Sequence, residues 1–193
     1  MISPFWGGSV KLTEIGECDF TIFGVPYDLE SSYRPGARFA PDKIREASSE
    51  ESINSFTELG VDLSSEAVIS DIGNIRITHN FEENLRNVET VVDSVISHGS
   101  IPIALGGDHI VTYMTVKAVA KHYDDLVLIY LDAHPDLYEV FRGDRYSHAC
   151  VVSRILEDGK IKGENIYEIG IRSITREQKE RAERFGITIV PAW

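Results

Sequence analysis

The segment Asp132-Ala133-His134-Pro135-Asp136 sets two carboxylates and an imidazole at spacing i, i+2, i+4. In an extended segment such alternate residues point to one side. Pro135 has no N–H to give a central ladder, so strand pairing should stop there. Two carboxylates and an imidazole brought together would repel or desolvate badly, and a divalent cation removes that conflict. Mixed carboxylate and imidazole donors suit manganese, iron or zinc better than calcium. The competing reading has Asp132 and Asp136 capping a turn with His134 packed beside them. A second motif, Gly106-Gly107-Asp108-His109, shifts the balance towards metal. Its glycine pair permits a sharp turn, and His109 should emerge at a neighbouring strand end. His109, Asp132, His134 and Asp136 are therefore the candidate ligands.

Both motifs need strands to place them. Residues 20–25 and 67–72 read as strands, and a helix should start near Pro41, since proline suits the first helical position. Asn80 and Glu83 resemble a capping box, Gly99 is a natural stop, and Phe81, Leu85, Val88, Val92, Val95 and Ile96 share one helical face over 81–98. Strands follow at 101–105 and 126–131 with a helix over 110–122 between them. The continuous apolar run 126–131 suits a strand buried on both faces of a parallel sheet. A strand at 165–171, a helix capped by Thr175 and Gln178 that ends before Gly186, and a strand near Ile187 complete the order. Alternating strands and helices imply one three-layer α/β/α domain over 1–193, a parallel sheet covered on both sides. In such sheets ligands bind beyond the C-terminal strand ends, where both motifs fall.

Composition narrows the function classes. With 42% hydrophobic and 26% charged residues the chain is an ordinary globular one. Its formal charge of −12 argues against nucleic acid and fits a cationic substrate. No apolar run approaches the roughly 20 residues that span a membrane. The N-terminus lacks a basic start and apolar stretch, a poor signal peptide, and Cys18 and Cys150 read as reduced thiols, so a cytoplasmic location is expected.

GGDH at 106–109, DAHPD at 132–136 and Ser147-His148-Ala149 together resemble the ureohydrolase (arginase/agmatinase) family, agmatinases most. Arg34-Pro-Gly-Ala-Arg-Phe-Ala-Pro41, Asp71-Ile-Gly73 and Gly170-Ile-Arg172 extend the similarity over nearly the whole chain. The resemblance implies an arginase-like fold and two manganese ions sharing a bridging hydroxide. It places His109 and Asp136 on one ion, His134 on the other and Asp132 across both. Two metals about 3.5–4 Å apart can activate a shared water for attack on a guanidinium carbon. Agmatine would give urea and putrescine. His148 matches the histidine that moves a proton to the departing amine; an imidazole titrates near neutral pH and suits that work. The bland alternative for His148 is a surface residue at a helix start. A homo-oligomer, trimer or hexamer, is implied too.

The chain departs from the family in one respect. The family's later Asp-x-Asp motif, which supplies two more metal ligands, has no counterpart among the 193 residues, nor do the last two family strands. The expectation is therefore a fragment of a longer protein, impaired on its own, with a sheet that either closes directly from the third strand to the fourth or waits for further strands. Arginase is disfavoured within the family, because Leu137–Tyr146 lacks the Asn/Thr/Ser-rich stretch that holds an amino-acid end. Guanidinobutyrase, formimidoylglutamase and a non-catalytic metal-binding remnant or partner subunit are the alternatives. Arg34 and Arg38 fit substrate contact, subunit contact and loop packing equally. His79, His98 and His122 read as ordinary surface residues. A Cys150–His148 nucleophile lacks any organising third group.

Overall fold

The structure, a computed structural model, describes residues 18–29, 31, 33–49 and 54–193. The N-terminal stretch read for a leader lies outside them. The described residues of 1–29 and 35–107 form one compact unit, and those of 30–34 and 108–193 form another.

In the first unit β1 (Phe20–Val25) lies between β2 (Ile69–Asn74) and β3 (Ile101–Gly106), all parallel. Strand β1 is the core strand: Ile22, Phe23 and Val25 are buried. Helix α1 (Ala40–Ser48) starts near Pro41, as expected, with the proline at its second position, and a four-residue α2 (Leu63–Glu66) precedes β2. The Arg45 guanidinium ties α1 to β2, donating from Nε to Asp71 Oδ2 at 2.7 Å and from Nη2 to Oδ1 at 2.9 Å. Helix α3 (Phe81–Ser97) starts where Asn80 accepts a hydrogen bond from the Glu83 N–H, and Gly99, at φ 78°, lies just beyond its end. Leu85, Val88, Val92 and Val95 of the face read from the sequence are buried together with Asn84 and Val91, while Phe81 and Ile96 are half-buried.

In the second unit β4 (Leu128–Leu131), β5 (Ile166–Ile171) and β6 (Thr188–Pro191) form a second parallel sheet. Helix α4 (Ile110–Val119) packs on α5 (Val151–Asp158). The sequence reading did not isolate α5; it follows a 3-10 turn at His148–Cys150 and buries Val151, Val152 and Ile155. Helix α6 (Arg176–Phe185) carries the expected Thr175/Gln178 capping box and stops at Gly186, φ 74°.

Among the described strands β3 pairs with β1 alone and β4 with β5 alone. Two-sided burial of β4 is not seen. Tyr130 is 3% exposed, but Ile129 and Leu131, on the other face, are 65% and 74% exposed. An apolar run fixes what a strand could bury; what packs on each face decides what it does bury. No helix among the described residues is long and apolar enough to cross a membrane.

Candidate metal centre

The second unit gathers the site. Gly106 ends β3, and Gly107, at φ 61°, turns the backbone in the left-handed region. His109 then stands at the N-cap of α4, while Asp108 Oδ1 accepts from the Ile110 N–H at 3.1 Å. The other motif leaves β4 at Asp132. Its loop is held by β5: the Asp132 N–H donates to Ile169 O at 3.2 Å, and the Arg172 and Ser173 N–H groups both donate to Ala133 O at 3.0 Å. Gly170, φ 92°, makes this approach possible, because a Cβ there would stand 3.3 Å from Asp132 O. Asp136 adopts φ 44°, a left-handed conformation that aspartate tolerates better than most side chains.

These constraints converge three side chains. His109 Nδ1 lies 2.8 Å from Asp132 Oδ2 and 3.0 Å from Asp136 Oδ2. One donor atom from each of the three residues falls within 4.8 Å of the others, a spacing that one cation can occupy. His134 stands apart from this cluster. Its side chain is 56% exposed, with Nδ1 3.6 Å from Asp132 Oδ1. The two oxygens of Asp132 thus face different imidazoles. The turn-capping reading also holds in part, since Asp132 Oδ1 accepts from the His134 N–H at 2.9 Å.

Electrostatics set His109 apart. Burial opposes its charged form, but the Asp136 hydrogen bond and the charges of Asp136, Asp132 and Asp108 outweigh it and raise its pKa. The surrounding carboxylates thus favour positive charge at this point. The carboxylate–imidazole chemistry fits a divalent first-row metal.

Sequence reasoning missed two residues. Tyr130 donates its hydroxyl to Asp136 Oδ2 at 2.8 Å, lies 3.0 Å from His109 Nδ1, and stacks on the His109 ring at 4.7 Å and 14°. Glu168, its partner in the β4–β5 register, is wholly buried, and burial followed by the charges of Asp136 and Asp132 raises its pKa to about 8. Period-2 placement was the available signal, since a lone Glu168 shares the buried side of β5 with Ile166.

His148 begins the 3-10 turn capped by Ser147, its ring edge-on to Phe141 at 6.2 Å. Arg38 is committed to its own loop, with Nε 2.6 Å from Asp28 Oδ1, and Arg34 lies over the Tyr33 ring at 5.1 Å. His79, His98 and His122 are exposed. Cys150 is fully buried, and burial pushes its thiol up to about 11, so it has no thiolate to offer.

A parallel α/β unit that sets an imidazole and two carboxylates beyond a strand end carries a candidate metal-binding cluster, the feature anticipated from the motifs. The arginase-family pattern matches residues 18–193, and the chain belongs to that family. It is 39% identical over 174 residues to arginase 1, mitochondrial, of Oryza sativa subsp. indica, covering 86% of this chain and 51% of that protein. It is 37% identical over 175 residues to the agmatinase of Bacillus subtilis, covering 90% of this chain and 59% of that one. Among solved structures, proclavaminate amidino hydrolase from Streptomyces clavuligerus superposes with a TM-score of 0.86 at 27% identity, covering 100% of this chain and 64% of that one. The fold is arginase-like. The chain spans about half the length of the curated relatives it matches.

Proposed function

We propose that this chain carries the cation-binding part of a hydrolase that cleaves a guanidino compound, agmatine foremost, into urea and an amine. The observation that carries the reading is the convergence of His109, Asp132 and Asp136 through atoms 2.8–3.0 Å apart. Manganese is the metal of the reading: His109, Asp132 and Asp136 would hold one ion, and in a complete site His134 and Asp132 would contribute to holding a second. When bound, the metal supplies Lewis-acid activation of water for attack on the guanidinium carbon. The residues do the rest. Asp132 and Asp136 supply negative charge for the cation and, in a largely desolvated position, for the guanidinium beside it. His148 gives its proton to the departing amine, which could not leave unprotonated.

Agmatine is preferred to arginine because arginine adds an α-carboxylate. That group would enter a site already rich in carboxylates, facing a Leu137–Tyr146 loop without the polar stretch that would hold it. The arginases among the relatives keep arginine as the direct competitor. Urea release should be measured from agmatine, arginine and 4-guanidinobutyrate with MnCl2 present, alongside Mn2+ binding. Agmatine should give the highest rate. A higher rate on arginine would overturn the substrate, and absence of Mn2+ binding would overturn the site.

A further inference from the structure

Three candidates stand outside the ligand set. A cavity of about 160 Å³ between α4 and α5 is lined by Val116, Ile155 and Ile161 together with Lys117, Lys121 and Lys160. Lys117 there is already paired with Asp158 at 2.7 Å, and nothing else in the cavity points to a ligand. The exposed face of β4 and β5, with Ile129, Leu131 and Ile169, has nothing that identifies its cover. Tyr130 is different, because each of its contacts falls on a residue of the metal centre.

We propose that Tyr130 is a positioning residue of the cation site, holding His109 and Asp136 in mutual register before a cation arrives. This rests on the reading of His109, Asp132 and Asp136 as cation ligands. The two groups it touches come from different segments, the start of α4 and the loop after β4, and no short stretch of backbone fixes one against the other. Tyr130 does so twice. Its single hydroxyl hydrogen goes to Asp136 Oδ2 at 2.8 Å, leaving an oxygen lone pair to face His109 Nδ1 at 3.0 Å. Its ring lies parallel to the imidazole, 14° between planes at 4.7 Å, and so limits rotation of His109. The tyrosine itself is anchored: it is 3% exposed and its strand is paired with β5 across Tyr130↔Glu168. Outer partners of this kind orient ligands, and losing one costs about 10–100-fold in metal affinity.

The test is Mn2+ titration of the 193-residue chain, following free Mn2+ by its EPR signal. Tyr130→Phe keeps the ring and loses the hydroxyl; its affinity should fall by about 10-fold, with the bound-ion spectrum broadened as the ligand geometry relaxes. Tyr130→Leu also loses the ring and should fall further. Tyr113→Phe, at another buried tyrosine of the same unit, should bind as the unsubstituted chain does. In unsubstituted protein labelled with 3-fluorotyrosine, Zn2+ should shift one 19F resonance far more than the others, a readout that needs no variant to fold. Equal affinity in Tyr130→Phe, an equal loss in Tyr113→Phe, or uniformly unmoved 19F resonances would overturn the positioning role. Failure of the unsubstituted chain to bind any divalent cation would instead overturn the ligand assignment on which it rests.

Discussion

Glu168 stands opposite Tyr130 in the β4–β5 register, with none of its surface exposed and neither carboxylate oxygen hydrogen-bonded among the described residues. A buried carboxyl without partners is far better neutral than charged. Burial first, then the charges of Asp136 and Asp132, lift its pKa from 4.5 to about 8.

That shift fixes a pH dependence and its sign. Between the unfolded value of 4.5 and the folded value of about 8 the native state keeps a proton that the unfolded chain releases. Stability therefore declines as pH rises through this window and levels off above it. Glu168→Gln removes the titration. Urea denaturation of the metal-free protein at pH 5 and pH 8 should show a smaller loss of stability in the variant. The difference should be on the order of a few kcal/mol at most. Identical pH dependence in the two proteins would show that Glu168 is not held neutral.

The first unit depends on a different buried charge. Arg45 and Asp71 are joined by two hydrogen bonds, with side chains 4% and 0% exposed. Asp71→Asn leaves the guanidinium buried against a neutral amide. The expected cost is up to about 3–5 kcal/mol, because the surviving charge keeps only the longer ion pair with Asp42, at 3.5 Å, without regaining water. Arg45→Met should cost similarly, since it strands the carboxylate. Denaturation midpoints followed by circular dichroism would settle it; a change below about 1 kcal/mol would mean that water reaches the pair.

Cation binding should divide between two positions of unequal strength. One has His109, Asp132 and Asp136 at hand, whereas the other has only His134 and the second oxygen of Asp132 among the described residues. Equilibrium dialysis with Mn2+ should find one tighter and one much weaker site. His134→Ala should remove the weaker and spare the tighter, and His109→Ala should do the reverse. Asp132→Asn should weaken both, because that carboxylate faces both imidazoles. Equal loss of both sites in His134→Ala would refute this division. With one strong position the chain alone should turn over guanidino substrate slowly.

How much of this was legible beforehand depends on the range of the forces involved. Asn80, Thr175 and Gly186 act within a turn or two of themselves, so α3 and α6 could be bounded from sequence. The convergence of His109, Asp132 and Asp136 was legible because residue type and spacing limit what such groups can do together, whereas His134, expected with them, stands apart. Tyr130 was hidden inside LVLIYL, where it reads as one more apolar residue, and only pairing with β5 and the fold of the Asp132 loop give its hydroxyl two partners. The exposed faces of Ile129 and Leu131 were illegible for the opposite reason: an apolar sequence states a preference for burial and leaves unsaid what supplies it.

Gly170 offers the sharpest test of how β5 shapes the centre. Its φ of 92° is costly for any residue with a Cβ, and the added carbon of Gly170→Ala would stand 3.3 Å from Asp132 O. The backbone conformation alone should cost about 1–2 kcal/mol. The contact adds a second effect with a definite direction. To relieve it, Asp132 must move away from β5, stretching the 3.2 Å bond from its N–H to Ile169 O and carrying its carboxylate away from His109. Mn2+ affinity should then fall together with stability. A helix-surface glycine substitution of equal cost, such as Gly159→Ala at the end of α5, φ 68°, should lower stability alone. Measuring the thermal midpoint and the Mn2+ dissociation constant for both variants separates the two effects. If Gly170→Ala loses stability but binds Mn2+ as before, the Asp132 loop is positioned by its own turn and not by its approach to β5.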